Sequence, residues 1–169
     1  MNRKIMNAAV LTAGALTLVA AAAQGEPARS KQASRHEQQV ERGRYLVKIA
    51  GCNDCHTAGY AQTAGKIPEA QWLTGDSLGW RGPWGTTYPV NLRLYMAGMS
   101  EAQWVQRAKT METRPPMPWF ALRDMTDQDL KALYQYVKSL GAGGEPAPVY
   151  VAAGKEPRTP YVQFPASPK

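Results

Sequence analysis

Cys52-Asn53-Asp54-Cys55-His56 constrains this chain more than any other stretch. Two thiols two residues apart, with an imidazole directly after the second, are what covalent attachment of a c-type haem requires. Cys52 and Cys55 can add as thioethers across the two vinyl groups, one helical turn matching the porphyrin edge, and His56 then lies under the iron. A structural zinc site would need four N/S ligands. The chain has two cysteines and two histidines, and His36 is far from the motif in sequence. A thioredoxin-like dithiol would normally accompany a βαβ pattern, which is missing. The motif therefore predicts one haem c.

An attached haem agrees with the first residues. Arg3 and Lys4 precede an Ala/Leu/Val-rich run from Ala8 to Ala23, and Ala21-Ala22-Ala23 offers an A-x-A cleavage site. Residues 1–23 read as a secretory signal peptide. The apolar run is too short and too rich in alanine for an uncleaved anchor, and no cysteine stands near the cleavage site to carry a lipid. The expected location is the periplasm, with no stable membrane anchor after cleavage. Without Arg3 and Lys4 the chain keeps 18 basic and 13 acidic residues, a formal +5. Such a balance biases the protein toward acidic partners but supplies no clustered patch for nucleic acid.

Residues 24–33 are polar and mixed, and read as a flexible arm. Ser34-x-x-Glu37 is a capping box, and Val40, Gly43, Leu46, Val47 and Ala50 recur at three- and four-residue steps. This predicts a helix from Ser34 that runs into the motif. Gly43, costly inside a helix by about 1 kcal/mol, suggests a close approach there by another backbone or a ring. From Thr57 to Leu94 the chain is rich in Gly and Pro and carries Trp72, Trp80, Trp84 and Tyr88, which read as long loops wrapping an apolar group. Gly82-Pro83-Trp84-Gly85 looks like a tight turn laying its indole on something flat. Ser100-x-x-Gln103 caps a second helix, and Pro115, Pro116 and Pro118 fix an extended loop. Thr126 caps a last helix, with Leu130, Leu133, Tyr134, Val137 and Leu140 as its stripe and Gly141 as its stop. Residues 142–169 hold six prolines and several aromatics, and are expected to dock as an extended tail.

The sixth position of the iron decides the chemistry. Of seven methionines, Met1 and Met6 leave with the signal peptide and Met111 ends a helix. Met125 precedes the cap Thr126 as a hydrophobic staple to Leu130, and Met96 and Met99 read as core fillers. Met117, between prolines in a rigid loop, is the candidate ligand. Met96, Met99, an open iron and His36 remain as rivals, with His36 read as an exposed residue.

These residues resemble the class I c-type cytochromes over positions 36–141. The likeness rests on Gly43-x-Tyr45-Leu46 leading into Cys52-x-x-Cys55-His56-Thr57, on Pro115-Pro116-Met117-Pro118-Trp119, and on the run from Asp129 to Leu140. Trp84-Gly85-Thr86-Thr87-Tyr88-Pro89-Val90-Asn91-Leu92 is similar to the monohaem domains that serve quinoprotein alcohol dehydrogenases. The resemblance implies an all-α cytochrome c fold over 34–141, with Gly43 and Tyr45 of the first helix crossing Leu133 and Tyr136 of the last. It also implies that Trp84, Tyr88 and Asn91 lie beside the haem, with polar groups from Tyr88 to Asn91 near a propionate. The expected function is electron transfer through iron held by His56 and Met117, with no catalytic residue. The expected partners are redox proteins such as a periplasmic dehydrogenase or a terminal oxidase. An enzymatic or gas-binding haem protein is the alternative from another class.

Overall fold

The computed structural model describes residues 26–165. The expected signal peptide over 1–23, its expected cleavage site and the final residues 166–169 lie outside the described residues. The chain divides into two units after Arg35, and the haem motif belongs to the second.

Helix α1 runs Glu26–Ile49, eight residues longer than the capping box at Ser34 predicts. Ser34 is an interior residue, and the expected arm over 24–33 is helical from Glu26 on. The reason is propensity: Ala28, Arg29, Lys31, Gln32 and Ala33 are good helix formers, and Pro27 sits in the first turn, where a missing N–H costs nothing. No apolar period marks this part because it is exposed from Ala28 on, His36 included.

The last helix, α6 (Asp127–Ser139), begins as its sequence predicts. The Thr126 side chain accepts from the Asp129 amide at 3.1 Å, and Gly141 at φ 70° follows its end. Its buried face carries Leu130, Ala132, Leu133, Tyr134, Tyr136 and Val137. Helix α1 crosses it at Gly43. A Cβ built there would lie 2.1 Å from the Ala132 carbonyl oxygen and 2.6 Å from Tyr136 Cβ, so only glycine permits this separation. Tyr45, expected in the crossing, is instead 51% exposed, and Leu46 and Val47 are the buried neighbours. At helical spacing a residue two positions after Gly43 faces well away from it. Polar clasps flank the crossing: Arg42 Nε donates to Asp129 at 2.9 Å, and Arg44 Nε donates to both Glu69 oxygens at 3.0 and 2.9 Å. Glu69 also accepts from the Tyr136 hydroxyl at 2.8 Å.

Helix α4 (Glu101–Thr110) carries the predicted reciprocal capping box between Ser100 and Gln103. It packs on α6, with Trp104 Nε1 donating to the Leu130 carbonyl at 2.9 Å, so the buried indole is satisfied. Two short helices were not marked by periodicity, α3 (Leu92–Ala97) and α5 (Trp119–Asp124). Each has six residues, too few for a hydrophobic period to show.

The expected all-α class is corrected by a small sheet. Strands β1 (Gly79–Gly82) and β2 (Gly85–Thr87) form an antiparallel hairpin. Strand β3 (Tyr161–Gln163) lies parallel to β1, with Trp80 opposite Val162, giving the order β2-β1-β3. Farther back along the tail, Val151 bridges Thr86, with amide–carbonyl bonds of 2.8 and 3.0 Å. These strands have three or four residues, bounded by glycines or prolines, and form only because distant chain supplies their partners.

Candidate haem-attachment site

The motif occupies its own short helix, α2 (Cys52–His56). Gly51 at φ 70° breaks the path of α1 and redirects the chain into it. The far end is locked by Thr57, which is 2% exposed. Its hydroxyl donates to Asn53 Oδ1 at 2.7 Å and accepts from the Leu73 amide at 2.8 Å. The two cysteines therefore stand one turn apart on a segment fixed at both ends.

His56 is buried, and its Nδ1 lies 2.7 Å from the Val90 carbonyl oxygen. A carbonyl can only accept, so Nδ1 carries the proton and Nε2 keeps its lone pair for a metal. Burial pushes the imidazole below its ordinary pKa and outweighs the opposing effect of the Val90 bond, which keeps the ring neutral. Gly75 makes this contact possible. Its amide donates to the His56 carbonyl at 2.8 Å, and at φ 82° a Cβ would lie 2.9 Å from both the Asn91 nitrogen and the Pro89 oxygen. A side chain at 75 would wedge the 89–91 segment away from His56.

Burial works against thiolate formation at both cysteines. Burial, with the Asp54 carboxylate adding to it, pushes the Cys52 thiol up to about 11, and burial does the same in direction for Cys55. Reactive pairs lower a thiol pKa to expose thiolate, the opposite of what is found. Among the described residues, no three His, Cys, Asp or Glu side chains gather as a metal-holding group. What remains is two neutral thiols on one helical turn and an imidazole offering Nε2. Ile49, three residues before Cys52, and Val90, whose carbonyl meets His56, are 60% and 44% exposed. This donor set and its apolar border fit a covalently attached porphyrin.

Met117 lies partly buried against the hydrophobic core, in the loop between α4 and α5. Its carbonyl accepts from the Trp119 amide at 2.9 Å. The Thr87 hydroxyl donates to the Pro115 carbonyl at 2.8 Å, which ties the proline loop to β2. Met96 is 2% exposed in the core, as a filler would be.

Residues 40–141 match the cytochrome c family. The chain belongs to that family. With membership come a covalently attached haem c and electron transfer rather than catalysis. This cytochrome is also 29% identical over 141 residues to the fructose dehydrogenase cytochrome subunit of Gluconobacter japonicus, a match covering 75% of the present chain and 27% of that protein. It thus corresponds to about a quarter of its relative's length. No solved structure matches it.

Three residues expected beside the haem also make contacts with distant parts of the chain. The Trp84 ring lies 5.3 Å from that of Phe164. The Tyr88 hydroxyl accepts from Thr159 at 2.9 Å. Asn91 is 3% exposed; its Oδ1 caps α3 through the Leu94 amide, and its Nδ2 donates to the Gly143 and Glu145 carbonyls at 2.8 and 3.2 Å. All three hold the C-terminal segment. Nothing local marks these contacts, because each partner lies 52 to 80 residues away. Nor could the sequence point to the Val90 carbonyl, since a backbone acceptor has no side-chain signature. Gly75 was one glycine among many.

Proposed function

We propose that this cytochrome is an exported, periplasmic carrier of single electrons with one haem, ligated by His56 and Met117. The observation that carries the reading is His56: a buried, neutral imidazole with Nδ1 committed to the Val90 carbonyl. Such a bond fixes the ring plane and raises the donor strength of Nε2. Cys52 and Cys55 would hold the haem edge, and its iron would supply reversible one-electron chemistry. Met117 supplies a thioether, which favours the reduced state and raises the potential. The loop tie from Thr87 to Pro115 supports its candidacy by limiting where the thioether can go. Without Arg3 and Lys4 the chain's formal charge of +5 favours encounter with acidic redox partners.

The similarity to a dehydrogenase cytochrome subunit favours a second reading, in which this chain is the dedicated electron acceptor of a periplasmic dehydrogenase. A terminal oxidase is the corresponding candidate on the accepting side. Both readings use the same site. Replacing Met117 with Ala tests that site: the sulfur-to-iron charge-transfer band of the oxidised holoprotein should disappear and the midpoint potential should fall. An unchanged band refutes the Met117 assignment.

A further inference from the structure

The loop that carries Met117 is not held by the helices alone. Residues 143–164 run as a strap fastened at four successive places: Asn91 takes the Gly143 and Glu145 carbonyls, and Val151 bridges Thr86. Farther along, Thr159 meets Tyr88, and β3 closes on β1. The second fastening is packed flush. A Cβ at Gly85, which sits at φ 98°, would lie 2.4 Å from the Val151 oxygen and 2.8 Å from the Tyr150 hydroxyl. At this place the strap reaches the loop. Tyr150 donates its hydroxyl proton to the Trp84 carbonyl at 2.8 Å, and its ring faces the Arg114 guanidinium at 4.0 Å. One residue beyond Arg114, the Pro115 carbonyl is held by Thr87 of the same hairpin.

We propose that Tyr150 is a positioning residue for the sixth-ligand loop: pinned to the hairpin by its hydroxyl, it clamps Arg114 and thereby restrains the Pro115–Met117 segment. The inference rests on the reading of Met117 as a ligand. Chain beyond the family's matched span of 40–141 is thereby given a part in controlling the iron. Arg114 is exposed, so a simple packing role would leave it little to do. A cation over a ring at this distance is the contact that orders such a side chain.

The test uses the haem-loaded protein with added imidazole, which competes for the sixth position. Its apparent dissociation constant varies inversely with the fraction of molecules whose loop is released. Tyr150→Leu and Arg114→Gln should each tighten imidazole binding about two- to five-fold, the size of one partly exposed cation–π contact. The double variant should tighten it little further, because both remove the same contact. Tyr150→Phe keeps the ring but loses the hydroxyl pin, and should fall between the wild type and Tyr150→Leu. Amide hydrogen exchange over residues 112–119 should quicken in Tyr150→Leu and Arg114→Gln. If Met117→Ala tightens imidazole binding strongly while both clamp variants leave it unchanged, the clamp is wrong and the ligand assignment stands. If Met117→Ala changes neither the spectrum nor imidazole binding, the ligand assignment falls. Exchange then decides the clamp: unchanged exchange over 112–119 overturns it, and faster exchange upholds the contact between strap and loop.

Discussion

Substituting Gly43 with Ala sets two physical effects against each other. In an exposed helix interior this change stabilises by about 1 kcal/mol, through the better propensity of alanine. At Gly43 the new methyl would meet the Ala132 carbonyl oxygen at 2.1 Å and Tyr136 Cβ at 2.6 Å. Ordinary carbon–oxygen contacts begin near 3.3 Å, so α1 and α6 must separate by roughly 1 Å. Neither obstructing atom is the tip of a flexible side chain. Overpacking of this kind costs about 3 kcal/mol at the upper end of its usual range. Subtracting the propensity gain leaves a net loss of about 2 kcal/mol, or very roughly 8 °C in melting temperature for a domain of this size. Gly43→Val should cost more. Gly98→Ala is the control, because a Cβ at Gly98 meets nothing within 4 Å and should leave stability nearly unchanged. Thermal melts of the haem-loaded proteins, followed by far-ultraviolet circular dichroism, measure all three. If Gly43→Ala is as stable as the unsubstituted protein, or more so, the close crossing of the two helices is refuted.

Two other perturbations reach the site and the clasp beside the crossing. Gly75→Ala forces a side chain into φ 82° and against the 89–91 backbone, which should stretch the His56–Val90 bond and lower the donor strength of the imidazole. A raised midpoint potential in a redox titration is expected, and an unchanged potential would deny Gly75 its spacing role. The Arg42 hydrogen bond holds the Asp129 carboxyl below its ordinary range. A depressed carboxylate stabilises the fold above the unfolded value near pH ~4 and loses that contribution as pH falls through the folded value. Melting temperature should thus fall slightly more between pH ~5 and ~3 in the unsubstituted protein than in Asp129→Asn. The effect is small because the pair is solvent-screened, and equal slopes would show that it contributes nothing.

What the sequence disclosed is what local chemistry encodes. The haem motif is a contiguous reactive pattern, and the caps at Ser100 and Thr126 are side-chain to backbone bonds made within one turn, so all three could be read directly. Gly43 announced the crossing because a glycine inside an amphipathic helix needs a reason. The start of α1 is hidden from the sequence because an exposed helical segment has propensity without period, and Ser34 imitates a cap inside it. The sheet went unseen for the opposite reason. Gly79-Trp80-Arg81-Gly82 has no strand pattern of its own and acquires one when Tyr161–Gln163 arrives beside it. Trp84, Tyr88 and Asn91 stand out in the sequence as residues with a task, and the resemblance points them toward the haem alone. Their contacts run to the tail, and long-range pairing of that kind leaves no mark on a single sequence.

Carbon monoxide added to the reduced, haem-loaded protein tests the central claim most directly. An electron carrier with His56 and Met117 on the iron has no free position, and should bind carbon monoxide slowly and weakly, with binding becoming rapid in Met117→Ala. Rapid, tight binding by the unsubstituted protein would contradict the account and assign the site to ligand or peroxide chemistry.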